Sequence, residues 1–407
     1  MHRGNPSLTG VVQASGLRHF QQVKWELEGQ FAVHIPLVAG SDLLYALWLT
    51  DGQTEIRAIE KETGTVSWQW KPGQDEYAGQ SHLYLDQGVL YYPVHSVQTQ
   101  PGTHMASLKG SFLYAFDTQT GRVLRRIPIP SLGNRLNCNL FAMHEGVAYL
   151  NGMDSAPASN GAAHYSCAAV DLQTEKLLWM ADLGVRLYST SPVVAHGMVY
   201  LQTYDSARGH QSLMHLHALS ARTGEPTWEY ECERGLVREF AVAGTDIFLL
   251  GNGGLEVIDT ISGTRKWNLP SRQSALNGPP TITNKFVYLS YEGFPTWIEE
   301  ERRQTGAMVV LERASRQEQW SAKANEGQYA TDGAIVADEV LYTLWEHIGF
   351  AGEGVTNATL FALDLRTGQE YWHFNATELS VPLVTDGNVF LVRGEGEGRS
   401  TYLCALT

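Results

Sequence analysis

Cysteine, positive charge and long apolar runs are all scarce in this chain, and each scarcity excludes a class of function. The sequence holds 4 cysteines in 407 residues, and no two of them form a CxxC pair. A structural zinc site or a redox dithiol is therefore not indicated, and the cysteines are expected to be buried free thiols. Lysine and arginine number 29 against 43 aspartate and glutamate residues, a net charge of −14. Because a phosphate backbone is bound by clustered Lys and Arg, nucleic acid is not expected as a partner.

Long apolar segments are missing as well. No apolar run approaches the ~18 residues that a helix needs to cross a bilayer, so no membrane span is expected. The first residues, MHRGNPSLTGVVQASG, also lack the apolar core of a signal peptide. Gly and Trp are plentiful instead, with 40 and 11 residues, which indicates a well-packed protein that is rich in turns.

Seven relatives of one phrase make up much of the chain, at successive spacings of 57, 54, 49, 39, 53 and 52 residues. They are AIEKETGTVSW from Ala58, AFDTQTGRVLR from Ala115, AVDLQTEKLLW from Ala169, ALSARTGEPTW from Ala218, VIDTISGTRKW from Val257, VLERASRQEQW from Val310 and ALDLRTGQEYW from Ala362. A period near fifty, with four short apolar runs in each unit, predicts the four-stranded antiparallel blades of an all-β propeller.

Two positions of the phrase have a clear physical purpose. Gly at the seventh position supplies a positive φ for a tight turn. Trp at the eleventh position can fill the gap between adjacent blades with a wide, flat ring. Arg125 replaces this Trp in the second unit, so the sequence predicts that its blade interface is the loosest.

The chain ends predict an eighth blade. The last residues, TYLCALT, reproduce the strand that leads into the phrase, and QVKWELEG near the start is a Trp strand with no phrase before it. If Trp25 completes the blade that Ala405 begins, the paired terminal strands close an eight-bladed propeller. We expect a single domain over residues 1–407, with residues 1–19 as a lead-in and residues 20–27 closing the last blade.

The pattern A-x-D-x-x-T-G-x-x-x-W resembles the repeat of the propellers named for pyrroloquinoline quinone (PQQ). RGNPSLTG, at residues 3–10, is similar to the segment that often precedes their first Trp strand. The resemblance implies two possible functions, since the family includes quinone- and calcium-dependent dehydrogenases and an outer-membrane assembly lipoprotein that is a scaffold. The dehydrogenases carry two adjacent cysteines over the quinone, and this chain has none.

The resemblance therefore favours the non-enzymatic branch, with no cofactor. The alternative is a PQQ- and calcium-dependent oxidoreductase with its site at the axial mouth of the propeller. Family resemblance places the protein in the cell envelope, with an export segment absent from this chain, and the cytoplasm is the alternative.

Loop lengths predict where a partner binds. The loops between the second and third strands of a blade are long, whereas the turns at the other end are tight. The long loops are residues 95–111, 152–164, 204–212, 292–305 and 347–356. Insertions gathered on one face of a repeat protein indicate a binding face. We expect a monomer that binds a protein, a peptide or a glycan on this long-loop face.

Six residues on these loops are candidates for partner binding. Trp297, Glu299, Arg302 and Arg303 lie in one loop, and an aromatic side chain beside arginines is typical of an interface hot spot. The alternative is a solvated charge run with Trp297 packed on its own blade. His104 and Lys109, on an earlier loop, are weaker candidates.

Three histidines raise the possibility of a metal site. His215 and His217 share one face of a strand, and His210 precedes them. Without an evident third ligand on that strand, ordinary buried or surface imidazoles are the favoured interpretation.

Overall fold

A computed structural model describes most of the chain. The described residues are 9–33, 35–50, 53–78, 82–99, 106–129, 141–154, 163–186, 192–204, 214–232, 237–251, 254–270, 278–291, 307–323, 328–348, 355–395 and 400–407. Across these ranges the regular structure is entirely β. None of these residues belongs to a helix that is long and apolar enough to cross a membrane.

The fold is an eight-bladed β-propeller of four-stranded antiparallel blades, as the repeats predicted. The chain divides into two compact units, one of residues 37–235 and one of residues 2–36 with 236–407. The second unit begins with the two strands of the N-terminal segment, which are β1 (Val11–Val12) and β2 (Val23–Gly29).

The first unit holds blades 1 to 4. Blade 1 consists of β3 (Val38–Ala39), β4 (Leu43–Thr50), β5 (Gln53–Glu60) and β6 (Val66–Trp70). Blade 2 consists of β7 (Glu76–Tyr77), β8 (Tyr84–Asp86), β9 (Val89–Thr99), β10 (Ala106–Asp117) and β11 (Val123–Ile129). Blade 3 consists of β12 (Phe141–His144), β13 (Val147–Asp154), β14 (Ala163–Asp171) and β15 (Lys176–Arg186). Blade 4 consists of β16 (Val193–Ala195), β17 (Met198–Tyr204), β18 (Met214–Ser220) and β19 (Pro226–Cys232).

The second unit holds blades 5 to 8. Blade 5 consists of β20 (Val237–Ala243), β21 (Asp246–Gly251), β22 (Gly254–Asp259) and β23 (Arg265–Pro270). Blade 6 consists of β24 (Thr281–Ile282), β25 (Phe286–Tyr291), β26 (Ala307–Glu312) and β27 (Glu318–Lys323). Blade 7 consists of β28 (Gln328–Ala337), β29 (Val340–Ile348), β30 (Val355–Asp364) and β31 (Glu370–Ala376). Blade 8 consists of β32 (Glu378–Leu379), β33 (Leu383–Thr385), β34 (Asn388–Glu395) and β35 (Ser400–Leu406), together with β2.

The turn in the repeated phrase is held by its acidic residue. Asp364 accepts hydrogen bonds through Oδ1 from the backbone N–H groups of Arg366 (3.0 Å) and Thr367 (2.8 Å). Its carbonyl accepts the N–H of Gly368 at 2.9 Å, and Gly368 has a φ of 72°. The predicted positive φ is thus confirmed, and Glu175 adopts it at 60° where the phrase lacks glycine.

The same glycine also makes room for a tryptophan of the preceding blade. A Cβ at Gly121 would lie 2.5 Å from the ring of Trp68, and one at Gly368 would lie 2.6 Å from the ring of Trp320. Trp68 also donates its indole N–H to the carbonyl of Thr118, at 2.9 Å. The Gly and Trp positions of the phrase therefore form one contact between successive blades, because a side chain at the glycine would overlap the ring.

The interface at Arg125 departs from this contact. The guanidinium donates through Nη1 to the carbonyl of Leu172 and, at 3.3 Å, to that of Gln173. Leu172 occupies in its phrase the position that Thr118 occupies in its own, so Arg125 keeps the hydrogen bond that Trp makes elsewhere. The seventh position of the facing phrase is Glu175 instead of glycine, consistent with the absence of an indole ring.

The eighth blade is closed by the two ends of the chain, as predicted. Antiparallel pairing joins β2 to β35, with Trp25 opposite Ala405 and Gly29 opposite Thr401. The turn is completed across the gap, because Gln21 N–H donates to the carbonyl of Thr407 at 2.7 Å. In six of the seven phrases the N–H of the seventh residue donates in the same way to the carbonyl of the third residue.

Two features differ from the expectations. The loops predicted over residues 95–111 and 347–356 are partly strand. The first hairpin is paired as far as Thr99 opposite Ala106, and the second as far as Ile348 opposite Val355. The lead-in also contributes a strand of its own, since β1 pairs in parallel with β28. The lengthened hairpins and β1 lie outside the repeated phrase, so the repeat pattern did not predict them.

Candidate functional site

Most of the predicted partner-binding residues lie outside the described part of the chain. These are Trp297, Glu299, Arg302 and Arg303 in the loop 292–305, and His104 in the loop before β10. Lys109 is described, and it lies exposed at a bulge in β10, between Leu108 and Gly110. Of the six predicted residues, the one that is described therefore lies on blade 2.

An arginine and two aromatic rings form a surface on the third and fourth strands of blade 2. The guanidinium of Arg126 lies 3.4 Å from the ring centre of Phe112 and 5.8 Å from that of Tyr114. Glu76 accepts a hydrogen bond from the Tyr114 hydroxyl at 2.5 Å and one from Arg126 Nη2 at 3.3 Å. We call these four residues the Arg126 surface.

Packing beneath the Arg126 surface holds its aromatic residues in place. The ring of Trp70, from blade 1, lies 5.3 Å from Tyr114 and 4.9 Å from Phe116. Burial first, and then the hydrogen bond to Glu76, raise the pKa of Tyr114, so the phenol stays protonated as a donor. A guanidinium fixed by stacking loses little entropy when it binds a planar acceptor.

The chemistry of the Arg126 surface suits recognition of a partner. The Arg126 side chain remains 42% exposed, so its planar N–H donors are open to a carboxylate or a carbonyl on another molecule. Trp, Tyr and Arg are the residues that dominate binding energy at protein interfaces. The surface lies near the middle of blade 2, since Glu76 pairs with Ser96 toward the long-loop end of β9 and Tyr114 lies opposite Tyr92, nearer the turn that follows β10.

Sequence reasoning missed the Arg126 surface, although one signal was present. The segment from Phe112 to Phe116 places aromatic residues at every second position, and a strand turns such positions to one face. Arg126 lies directly opposite Tyr114 in the ladder. Only the register of β10 against β11 brings the arginine onto the aromatic face, and the repeat alignment does not give that register.

The histidine pair of blade 4 is part of the packed interior. His215 and His217 are buried, with ring centres 6.2 Å apart. Glu229 lies between them, with Oε1 at 2.6 Å from His215 Nδ1 and Oε2 at 3.6 Å from His217 Nδ1. His217 Nε2 lies 2.7 Å from the hydroxyl of Thr203. The two imidazoles thus lie in the interior of blade 4, and His210 lies outside the described residues.

The described ranges contain no group of three or more His, Cys, Asp or Glu side chains placed to hold a metal ion. Cys167, Cys232 and Cys404 are buried free thiols, and burial raises the pKa of Cys167 and of Cys404 to about 12. Because these cysteines belong to three different blades, the described residues do not fit a PQQ and calcium site.

Comparison with known proteins gives a family match over much of the chain. Residues 114–373 match the family described as outer membrane protein assembly factor BamB. A curated relative, outer membrane protein assembly factor BamB of Yersinia pestis, is 24% identical over 233 residues. That match covers 55% of this chain and 56% of the relative, so the chain spans little more than half of that protein's length.

Solved structures with the same fold come from both enzymes and assembly factors. Quinohemoprotein alcohol dehydrogenase from Comamonas testosteroni is 12% identical, with a TM-score of 0.65 over 99% of this chain and 79% of its own. BamB from Moraxella catarrhalis is 13% identical, with a TM-score of 0.52 over 94% of this chain and 99% of its own. At such low identity these likenesses show the propeller fold and no activity.

Proposed function

The chain belongs to the family of the outer membrane protein assembly factor BamB, and from this membership we propose that it is a non-catalytic binding propeller. Its partner is a protein that takes part in assembling outer membrane proteins, and its location is the cell envelope. The observation that carries the proposal is the Arg126 surface, a preorganised arginine on aromatic rings near the middle of β10 and β11.

The proposed docking face consists of the long-loop ends of the blades. It contains Lys109 and the predicted loop residues Trp297, Glu299, Arg302, Arg303 and His104, and it extends along blade 2 to the Arg126 surface. The turns at the opposite ends of the blades are tight and expose mixed side chains, such as those of Arg222, Ile261 and Arg366. A PQQ-dependent oxidoreductase remains the alternative function, but no ligand set among the described residues supports it.

Capture of a native partner tests the docking face. We expect that changing Trp297, Arg302 and Arg303 together to alanine weakens capture from a detergent extract of cell envelopes, because hot-spot side chains carry most of the binding energy. Arg126→Gln should weaken it as well, by roughly tenfold for the loss of a charge-assisted contact. Quantitative immunoblotting of the captured partner measures both effects.

A matched control comes from the tight turns. His196 and Asp386 each occupy the left-handed region, with φ of 54° and 52°. Asparagine tolerates this conformation, so His196→Asn with Asp386→Asn alters the turn face without adding strain. If this control loses the partner while the loop variants keep it, the proposed face is wrong.

A further inference from the structure

The interface between blades 2 and 3 contains a charge that no described carboxylate pairs. Arg125 lies where other blades carry Trp, and its hydrogen bonds go to the carbonyls of Leu172 and Gln173 and to Tyr91. Hydrogen bonds from Thr174 and, to a smaller extent, the charge of Arg125 lower the pKa of Asp171. The Oδ1 atom of Asp171 already accepts the backbone N–H groups of Gln173 and Thr174. A half-buried guanidinium bonded to neutral acceptors can gain energy from a further carboxylate.

Aliphatic side chains are exposed around Arg125 on both blades. They lie on β11 and β15, are between 38% and 55% exposed, and are Val123, Leu124, Leu177, Leu178 and Met180. Leu177 and Met180 lie opposite Val170 and Ala168, which pack in one core cluster with Ala115 of blade 2. Because Arg125 lies opposite Ala115, these two aliphatic side chains share the blade interface with the guanidinium. Adjacent blades thus place apolar groups next to one unpaired positive charge.

The fold itself does not require apolar residues at these positions. The two residues before the Trp position are Val123 and Leu124 in blade 2 and Leu177 and Leu178 in blade 3. The corresponding residues of the other phrases are polar or charged in most cases, and they are Val66, Ser67, Pro226, Thr227, Arg265, Lys266, Glu318, Gln319, Glu370 and Tyr371. Among these, Val66 is an exposed aliphatic residue, at 38%, and its neighbour Ser67 is polar. Exposed aliphatic groups that the strand can replace by charges indicate contact with another molecule.

We propose that Arg125 and the aliphatic residues of β11 and β15 dock a segment of a partner protein in which a carboxylate side chain lies between aliphatic side chains. The carboxylate pairs with the guanidinium, and the aliphatic groups cover Leu177 and Met180. Charge complementarity supports this choice, since Arg125 makes its hydrogen bonds to neutral carbonyls and a carboxylate would form a stronger, charge-assisted one. The site is separate from the proposed docking face, because adjacent residues of a strand point to opposite sides and Arg126 stacks on Phe112.

A labelled peptide tests this proposal on the full chain. The probe is a fluorescein-labelled peptide with the core Leu-Glu-Leu-Glu-Leu between Gly-Ser flanks, and its binding is followed by fluorescence anisotropy. We expect saturable binding to the unaltered protein and no binding of the peptide with Lys in place of Glu. Arg125→Gln removes the charge and keeps N–H donors, and it should weaken binding by about tenfold.

Two further variants separate the site from general effects on the fold. Leu177→Ser with Met180→Ser changes only exposed side chains, so it should fold normally and still weaken the peptide by about tenfold. Arg222→Gln and Ile261→Ser are the matched controls, as an exposed arginine and an aliphatic residue that is 78% exposed, and neither should change binding. Failure of the acidic peptide to bind the unaltered protein, equal binding of the lysine peptide, or unchanged binding to Arg125→Gln would each overturn the proposal.

Discussion

A single contact between a glycine and a tryptophan explains why both residues recur in the repeat. The glycine adopts a positive φ in its own turn, and its missing side chain leaves space for the indole of the blade before it. Where Arg125 replaces the indole, Glu175 replaces the glycine. At another interface Arg316 takes the glycine position, and its guanidinium lies 5.0 Å from the ring centre of Trp267. The indole thus faces either a glycine or, at Arg316, a side chain that stacks on its ring.

Coupling between Arg125 and Glu175 is the expected consequence. Arg125→Trp alone should gain little stability, because the indole of other blades packs against a glycine and this position is Glu175 here. Arg125→Trp with Glu175→Gly should be stabilised by about 0.5–3 kcal/mol beyond the summed effects of the two single changes, the range for residues that interact. Urea unfolding of the four proteins in this double-mutant cycle measures the coupling energy. A coupling energy near zero would show that the glycine matters only for its φ.

The sequence predicted the contacts between repeat positions, but it could not predict the contacts between surface residues. Trp68 and Gly121 are visible as members of a pattern, so their type and period predicted the blades. Arg126 lies outside the repeated phrase. Its position over Phe112 depends on the pairing of β10 with β11, whose register shifts at a β-bulge between Ala115 and Phe116. The loop holding Trp297 carried a compositional signal only, and its role stays a prediction.

At the scale of the strand, blade 8 depends on a ladder of charged side chains across its closing edge. Arg393 on β34 binds Glu26 on β2 through Nε, at 3.0 Å, and stacks over Tyr402 on β35. The hydrogen bond from Arg393, more than the opposing effect of burial, holds the pKa of Glu26 below its ordinary value of 4.5. The ladder thus joins the N-terminal strand to the rest of its blade through side chains as well as backbone.

The ladder gives blade 8 a dependence on pH. Because the folded state lowers the pKa of Glu26, ionised Glu26 stabilises the protein above its ordinary pKa, and this contribution is lost as pH falls through the lowered value. Glu26→Gln should therefore melt below the unaltered protein at pH 6, and the two should converge towards pH 3. Thermal melts across this range measure the difference. Glu28→Gln is the control, since Glu28 accepts a hydrogen bond from the neutral hydroxyl of Ser400. If the melting temperatures of Glu28→Gln and the unaltered protein converged with falling pH as much as those of Glu26→Gln, the role of the ladder would be contradicted.

At the scale of the molecule, the seventh and eighth blades both rely on the N-terminal segment. Trp372 donates its indole N–H to the carbonyl of Leu17 at 2.8 Å, and Phe20 packs 5.5 Å from its ring. Thr9 and Gly10 accept the backbone N–H groups of Ile282 and Val336. The sequence predicted the Trp25 strand from its likeness to the other Trp strands. It could not predict the path of residues 9–20, because that path follows no repeat.

Removing the N-terminal segment should therefore destabilise blades 7 and 8 together. A chain that begins at residue 30 loses the six pairs of β2 with β35, leaves a strand edge open, and exposes Phe390, which lies 6.0 Å from the Trp25 ring. We expect a loss of several kcal/mol, on the usual scale for a large aromatic residue and its strand. Differential scanning calorimetry measures the change, and Trp25→Ala, which keeps the strand and loses the ring, should fall between the truncated and the full chain. A truncated protein that melts at the temperature of the full chain would mean that the paired termini do not support the fold.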